Sequence, residues 1–378
     1  MSFVIYQGNS LDVLRHLADE SVDCCVTSPP YWGARDYETG SWSGGDPDCK
    51  HQLRRGLQGK TGERAGRRHT AQMLYLGTCG RCGAIREDEQ IGLEQTPEEF
   101  IERLVLVFRE VRRILKPKGV LWVNMGDTYC SRPNGSVGRS TLDGSTTPHK
   151  EYRRAHGMRK NLALSGLKHK DLVGGPWLLA FALRKDGWWL RQDCIWAKPN
   201  PQPESVKDRC TKAHEYVFLL SKSARYFWNF AAMQEPVSGT AHPRGSGVNQ
   251  KASRFPRGWD SSSGSHRLMV GRYHPKQNAS FSSSVRGVVK ERNKRSVWTL
   301  PTQPFKGSHF ATFPVTLAQI CIRAGCPPNG VVLDPFAGAG STGIACLRLG
   351  CRFLGVELNA KYIDMAYRRA DAEMEKAG

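Results

Sequence analysis

Val331-Val332-Leu333-Asp334-Pro335-Phe336-Ala337-Gly338-Ala339-Gly340-Ser341-Thr342-Gly343 is an apolar run that ends on an acid and passes through a glycine-rich turn into a helical pattern. Three consecutive apolar residues suit a strand buried on both faces, as parallel strands are. Gly338, Gly340 and Gly343 match G-x-G-x-x-G. Such glycines allow close backbone approach, and a helix starting at Ser341 offers free N–H groups to an anion. Strand, turn and helix in this order predict a parallel α/β sheet, with the dinucleotide-binding Rossmann-like turn as one reading of it. Glu357 stands nineteen residues past Gly338, at the end of the next predicted strand, where an acid can bind ribose hydroxyls.

Asp334-Pro335-Phe336 bears on which cofactor such a turn would take. A carboxylate just ahead of the turn would repel a pyrophosphate, but it suits the ammonium of a methionine moiety. S-adenosylmethionine therefore fits better than NAD. The plain alternative is a glycine-rich turn that only joins strand to helix.

Far upstream, Thr27-Ser28-Pro29-Pro30-Tyr31-Trp32 follows the apolar run Val22-Asp23-Cys24-Cys25-Val26. It should lie at the carboxyl end of a parallel strand, where open α/β sheets place their sites. Alone, this string also reads as a proline-rich turn. Paired with the glycine turn, it reads as the second half of one site.

Between and around these strings the chain alternates regular and irregular stretches. Phe3 to Tyr6 is strand-like, and Ser10 reads as the cap of a helix holding Leu11, Val13, Leu14 and Leu17. Thr96, Pro97 and Glu99 form a capping box ahead of the apolar stripe Phe100, Leu104, Val107, Val111 and Leu115. Strand Val120–Met125 follows. Residues 131–170 read as a polar loop, 172–183 as a helix, and 188–196 and 214–220 as strands. Helices are expected after Phe313-Pro314, from Ser341 and from Ala360, with Phe353–Val356 a strand between the last two.

The charge is uneven. The chain of 378 residues holds 55 Lys and Arg against 35 Asp and Glu, a formal charge of +20. Residues 50–70 carry seven Lys or Arg and one acid; residues 236–296 carry twelve and two, with Phe255, Trp259, Tyr273 and Phe281 interspersed. Such clusters predict a polyanionic partner, since each phosphate contact releases counterions. The chain opens without a signal pattern and has no apolar run of membrane-spanning length, so a cytoplasmic protein is expected. Most of its twelve cysteines are scattered through apolar segments, as in a reducing compartment. Cys79-Gly80-Arg81-Cys82-Gly83 differs: a C-x-x-C turn that Cys49 and His51 would complete as a closed structural zinc site. Unrelated surface thiols are the alternative.

Together the two strings resemble the DNA amino-methyltransferases that methylate cytosine N4 or adenine N6. The order is that of the group whose catalytic motif precedes the target-recognition region and the cofactor motif. The resemblance covers most of the chain. It implies a class I S-adenosylmethionine-dependent methyltransferase fold, with a seven-stranded sheet and helices on both faces, acting on a base flipped out of double-stranded DNA. It also allows for a companion restriction endonuclease. An exocyclic amine is a poor nucleophile because its lone pair is delocalised into the ring. Acceptors on its two N–H bonds draw the nitrogen toward tetrahedral geometry and aim the lone pair at a sulfonium methyl. Ser28 Oγ and the Pro29 carbonyl are the candidate acceptors. Pro30 stiffens the turn, and Tyr31 would stack on the flipped base, with Trp32 lining the pocket.

The same resemblance assigns the cofactor to Asn9, Phe313, Pro314, Asp334, Pro335, Phe336, Gly338, Gly340, Ser341, Thr342 and Glu357. Asn9 departs from the family's usual Asp, and Ser308 to Pro314 resembles the segment holding the methionine end. Ser-Pro-Pro-Tyr is associated more with cytosine N4, Asp- or Asn-Pro-Pro-Tyr more with adenine N6. Carbon-5 methylation is disfavoured, because no Pro-Cys dipeptide occurs. RNA or protein amide methylation and a non-catalytic DNA-binding role are the rivals. The expected layout is catalytic core over 1–45, basic insertion with zinc knuckle over 46–85, core over 86–235, target recognition over 236–297, and the cofactor-binding part of the core over 298–378.

Overall fold

A computed structural model of the chain describes residues 2–33, 39–51, 53–54, 76–130, 166–236, 291–302 and 313–376. The strands are β1 (Phe3–Gln7), β2 (Val22–Thr27), β3 (Ser41–Ser43), β4 (Leu53–Arg54), β5 (Leu76–Cys79), β6 (Ile85–Glu87), β7 (Leu115–Met125), β8 (Trp189–Ala197), β9 (His214–Ser221), β10 (Gln234–Pro236), β11 (Glu291–Asn293), β12 (Val297–Thr299), β13 (Val331–Asp334) and β14 (Arg352–Glu357). The helices are α1 (Ser10–Arg15), α2 (Pro97–Ile114), α3 (Gly175–Lys185), α4 (Val315–Gly325), α5 (Ser341–Leu349) and α6 (Ala360–Glu375).

Eight strands form one sheet in the order β1-β14-β13-β2-β7-β9-β8-β12. Among the described residues only β9 runs against the rest, pairing antiparallel with β7 and β8. The expected Rossmann-like sheet is thus present, with β12 as an eighth strand parallel to β8 at the edge. Strands from the two ends of the chain interleave. β13 pairs with β2 through Val332↔Cys24 and Leu333↔Cys25, across roughly three hundred residues.

The helix signals come through where a face is apolar. Thr96 Oγ1 accepts from the Glu99 N–H at 3.2 Å, and Glu99 Oε2 accepts from the Gln95 N–H. α2 then buries Phe100, Leu104, Val107, Phe108, Val111 and Ile114 against Leu121, Val123 and Leu179. Each such side chain contributes about 2 kcal/mol on burial. β7 begins at Leu115, earlier than the expected Val120. The pairing steps from Val22↔Leu115 to Cys24↔Val120, so residues 116–119 bulge out of an otherwise regular ladder. The cap of α1 is Asn9 rather than Ser10, its side chain accepting from the Leu11 N–H at 2.9 Å.

The glycine turn packs as the motif requires. A Cβ at Gly343 would lie 2.4 Å from Phe3 Cε2 and 2.7 Å from Phe353 Cδ1, so this glycine lets α5 lie directly on β1 and β14. A second sheet, antiparallel in the order β3-β6-β5-β4, occupies the stretch read as an insertion. Residues Phe230–Arg295 form a compact unit of their own, distinct from Met1–Asn229 with Ser296–Gly378. In it β10 pairs with β11, and Arg292 and Arg295 both donate to Glu235. The loop 131–165, the Arg-rich stretch 237–290, residues 55–75 and the segment Ser308 to Thr312 lie outside the described residues. No described helix is long and apolar enough to cross a membrane.

Candidate active site

Because β2 and β13 are parallel neighbours, both loops named by the sequence leave the same edge of the sheet. One carboxylate joins them. Thr27 Oγ1 donates to Asp334 Oδ1 at 2.6 Å, Thr342 Oγ1 donates to Oδ2 at 2.7 Å, and the Phe336 N–H donates to Oδ1 at 3.1 Å. Asp334 is 1 % exposed. Burial pushes its pKa from 3.8 up to about 6, against the opposing pull of these three donors. The sequence reading set this carboxylate against a methionine ammonium; in the structure, donors within the protein engage both of its oxygens. It ties the end of β2 to the end of β13 and the first turn of α5.

The rest of the predicted cofactor rim gathers around the same turn. Gly338 and Gly340 have φ of +51° and +75°, a region that favours glycine. Glu357, at the end of β14, accepts from the Gly338 N–H and the Asn359 N–H, each at 2.8 Å. Burial raises its carboxyl above the ordinary range although both N–H groups oppose this. Ser10 Oγ donates to the Pro335 carbonyl at 2.6 Å, and the Gly8 N–H donates to the Glu357 carbonyl at 3.0 Å. The start of α1, with Asn9, is thereby held beside Pro335 and Glu357. The Asn9 side-chain carbonyl is engaged as the helix cap. Ser341 and Thr342 are buried at the start of α5, and Arg369 donates to the Ala339 carbonyl behind the turn. Phe313 and Pro314 stand at the entry to α4, Pro314 as its N-cap. Among the described residues neither is hydrogen-bonded to the glycine turn.

On the other side of the Thr27–Asp334 bond, Pro29 is buried while Ser28, Pro30 and Tyr31 are half-buried. Trp32, read as pocket lining, is instead a core residue: it is 3 % exposed and its indole N–H donates to the Glu94 carbonyl at 2.9 Å. Tyr31 donates its phenol proton to Glu215 Oε2 at 2.9 Å, and Lys198 Nζ donates to Glu215 Oε1 at 2.5 Å. Burial and the Glu215 charge push the Tyr31 phenol well above its ordinary pKa. Neither Lys198 nor Glu215 was identified as a partner of Tyr31 by sequence. From sequence, Lys198-Pro199-Asn200-Pro201 reads equally as a wall of the target-base pocket or a rigid loop, and His214-Glu215 as a strand start with packing favoured over catalysis.

The four predicted metal ligands converge. Cys49 Sγ, His51, Cys79 Sγ and Cys82 Sγ offer ligand atoms within 4.8 Å of one another. Cys49 and Cys79 sulfurs are 3.9 Å apart, and Cys82 Sγ is 3.3 Å from His51 Nδ1. Tetrahedral zinc with arms of about 2.0–2.3 Å places such atoms roughly 3.5–3.8 Å apart. Gly83, at φ +76°, makes the tight turn, and the Arg81 N–H faces the Cys79 sulfur at 3.5 Å. Trp42 stacks on the His51 ring at 5.0 Å.

A largely parallel sheet carrying a glycine turn, an acid at the end of the next strand and, beside them, a Ser-Pro-Pro-Tyr loop is the arrangement the resemblance to amino-methyltransferases leads one to expect. The family model described as DNA methylase, of the N6/N4 class, matches residues 22–368, and the chain belongs to that family. It is 36% identical over 369 residues to the Type II methyltransferase M.Cfr9I of Citrobacter freundii, covering 98% of this chain and 88% of that protein. It is 35% identical to the Type II methyltransferase M.SmaI of Serratia marcescens, over 97% of this chain and 89% of the relative. Among solved structures, the cytosine-N4-specific PvuII DNA methyltransferase shares the fold. The TM-score is 0.52 at 15% identity, covering 98% of this chain and 86% of that one. The protein is thus a DNA methyltransferase acting on an amino group.

The buried carboxylate makes stability pH-dependent in a definite direction. Asp334 titrates near 3.8 unfolded and about 6 folded. Its contribution is therefore complete below pH 4 and lost as pH rises through 6. Relative to Asp334→Asn, the wild-type protein should lose about 2 kcal/mol between pH 4 and pH 7 without added cofactor. Urea unfolding of both proteins at the two pH values measures this. An unchanged gap between them would show that Asp334 does not titrate in this range.

Proposed function

We propose that the protein methylates the N4 amine of a flipped cytosine in double-stranded DNA, with S-adenosylmethionine as donor. The observation that carries the site is the Thr27–Asp334 hydrogen bond, which holds the two loops side by side. Bound S-adenosylmethionine supplies an electrophilic methyl group on a sulfonium. The residues at the turn suit it: Glu357 offers a carboxylate to ribose hydroxyls, and the first turn of α5 offers N–H groups to the methionine carboxylate. Asn9, Pro335, Phe336, Gly338, Gly340, Ser341 and Thr342 line this cradle, Asp334 braces it from beneath, and Phe313 and Pro314 approach from α4.

Opposite the cradle, Ser28 Oγ and the Pro29 carbonyl accept hydrogen bonds from the two N–H groups of the amine, Pro30 holds the loop rigid, and Tyr31 stacks on the base. The preference for cytosine over adenine rests on the serine of Ser28-Pro29-Pro30-Tyr31. The basic stretches at 46–85 and 236–297 suit phosphate contacts and base reading. Kinship with Type II methyltransferases supports a companion restriction endonuclease, acting in the cytoplasm where the genome lies.

Nucleoside mass spectrometry of DNA methylated by the purified enzyme should yield N4-methylcytosine. N6-methyladenine instead would move the assignment to the other base. Ser28→Ala should lower the turnover number by about a hundredfold while leaving cofactor affinity unchanged, as expected when a hydrogen bond made in the transition state is removed. Wild-type turnover in that variant would remove Ser28 from the mechanism.

Cys49, His51, Cys79 and Cys82 we assign to one structural zinc ion that orders the small sheet β3-β6-β5-β4. Elemental analysis of protein purified without chelators should give about one zinc per chain. Cys79→Ser should lose the metal and leave cofactor binding intact. Metal-free wild-type protein would contradict the assignment.

A further inference from the structure

The Ser28–Tyr31 loop is backed by an ion pair that the amine-clamp chemistry does not call for. Lys198 and Glu215 come from the paired ends of β8 and β9. The register runs through Trp196↔Glu215 and Ala197↔His214, and the Lys198 N–H donates to the Ala213 carbonyl at 2.8 Å. The side chains are 18% and 15% exposed, and the Lys198 ammonium also sits 4.3 Å from the centre of the Trp196 ring. The pair is thus shielded from water and fixed from three sides. Its free carboxylate oxygen is spent on Tyr31. Gly126, at the end of β7, closes the arrangement: a Cβ there would lie 3.1 Å from Tyr31 Cε2 and 3.2 Å from Glu215 Cγ and Cδ. Lys212 donates to the carbonyl of the next residue, Asp127, at 2.5 Å, and so adds a second cation near Glu215.

We propose that Glu215, held by Lys198, is a positioning residue that fixes the Tyr31 ring for the target base. The inference rests on the stacking role given to Tyr31 above. A tyrosine anchored only at its Cβ rotates about two side-chain bonds; a charge-assisted bond at the phenol removes that freedom before the base arrives. Lys198 holds the carboxylate in place and aimed, so that it stays within reach as an acceptor for the phenol. Binding energy is then not consumed in ordering the ring, and the cost of losing the anchor falls on the chemical step.

The test uses the full-length enzyme, tritiated S-adenosylmethionine and unmethylated genomic DNA from an expression host lacking the gene. Tyr31→Phe and Glu215→Gln should each slow single-turnover methyl transfer about tenfold, with cofactor affinity and KM for DNA unchanged. The double variant should be no slower than the slower single one, because both remove the same anchor. Lys198→Met should fall with them, and Lys198→Arg should recover most of the loss. Multiplying effects in the double variant, or a wild-type rate in Glu215→Gln, would overturn the proposal. Should Glu215→Gln fail to bind cofactor, Tyr31→Phe breaks the same bond from its other end, and a wild-type rate there is equally decisive. Tyr31→Ala separates the two readings. A wild-type rate in that variant sinks the stacking role itself, whereas a slow Tyr31→Ala beside a fast Glu215→Gln sinks only the anchor.

Discussion

One buried carboxylate organises this molecule. Asp334 has no cation beside it among the hydrogen-bond partners seen; hydroxyls from Thr27 and Thr342 and one backbone N–H share its charge. Removing such a group from water is costly, and the cost is tolerable only while every donor stays in place. Each donor lies on a different piece of chain: the end of β2, the turn after β13 and the first turn of α5. The carboxylate therefore fixes the distance between the loop that would hold the amine and the turn that would hold the methyl donor. For a transfer between two bound reactants, that distance is the quantity that matters most.

The sheet topology makes this contact available. A strand from the first thirty residues lies beside one from the last fifty, with parallel alignment putting both carboxyl ends on one edge. The order of the motifs along the chain is then immaterial to the site. β14 and β1 extend the same edge to Glu357 and Asn9, while β7, β9 and β8 extend it to Gly126, Glu215 and Lys198. In the function proposed above, half of the edge serves the donor and half serves the base. The antiparallel β9 has a direct consequence: it brings its first residues, His214 and Glu215, to the edge where its neighbours end.

Local pattern was a good guide where one residue's neighbours along the chain decide its state. The capping box of α2, the apolar stripe behind it and the positive-φ glycines at 338 and 340 are such cases. Cys79 and Cys82 are partly such a case, since a C-x-x-C turn brings its own two sulfurs together, while Cys49 and His51 reach them only through the fold. Pattern misled where a side chain had two competing partners. Trp32 looked like a pocket wall and fills the core, and Asp334 looked outward and is turned in. In each case the nearer partner inside the protein won, because a buried polar group left without one is penalised more than an exposed one gains.

Sequence alone determined the class of fold and the family, and singled out the two loops that the sheet brings together. Periodicity of apolar residues and the backbone freedom of glycine are local properties that survive without knowing the neighbours. Only the tertiary structure decided that Thr27 and Thr342 share one carboxylate, that Lys198 and Glu215 stand behind Tyr31, and that Gly343 is a glycine because Phe3 and Phe353 leave no room for a Cβ. These pairings depend on which strands lie side by side and in what register. A one-residue shift in register would turn the strand residues among them, Thr27, Glu215, Phe3 and Phe353, to the opposite face.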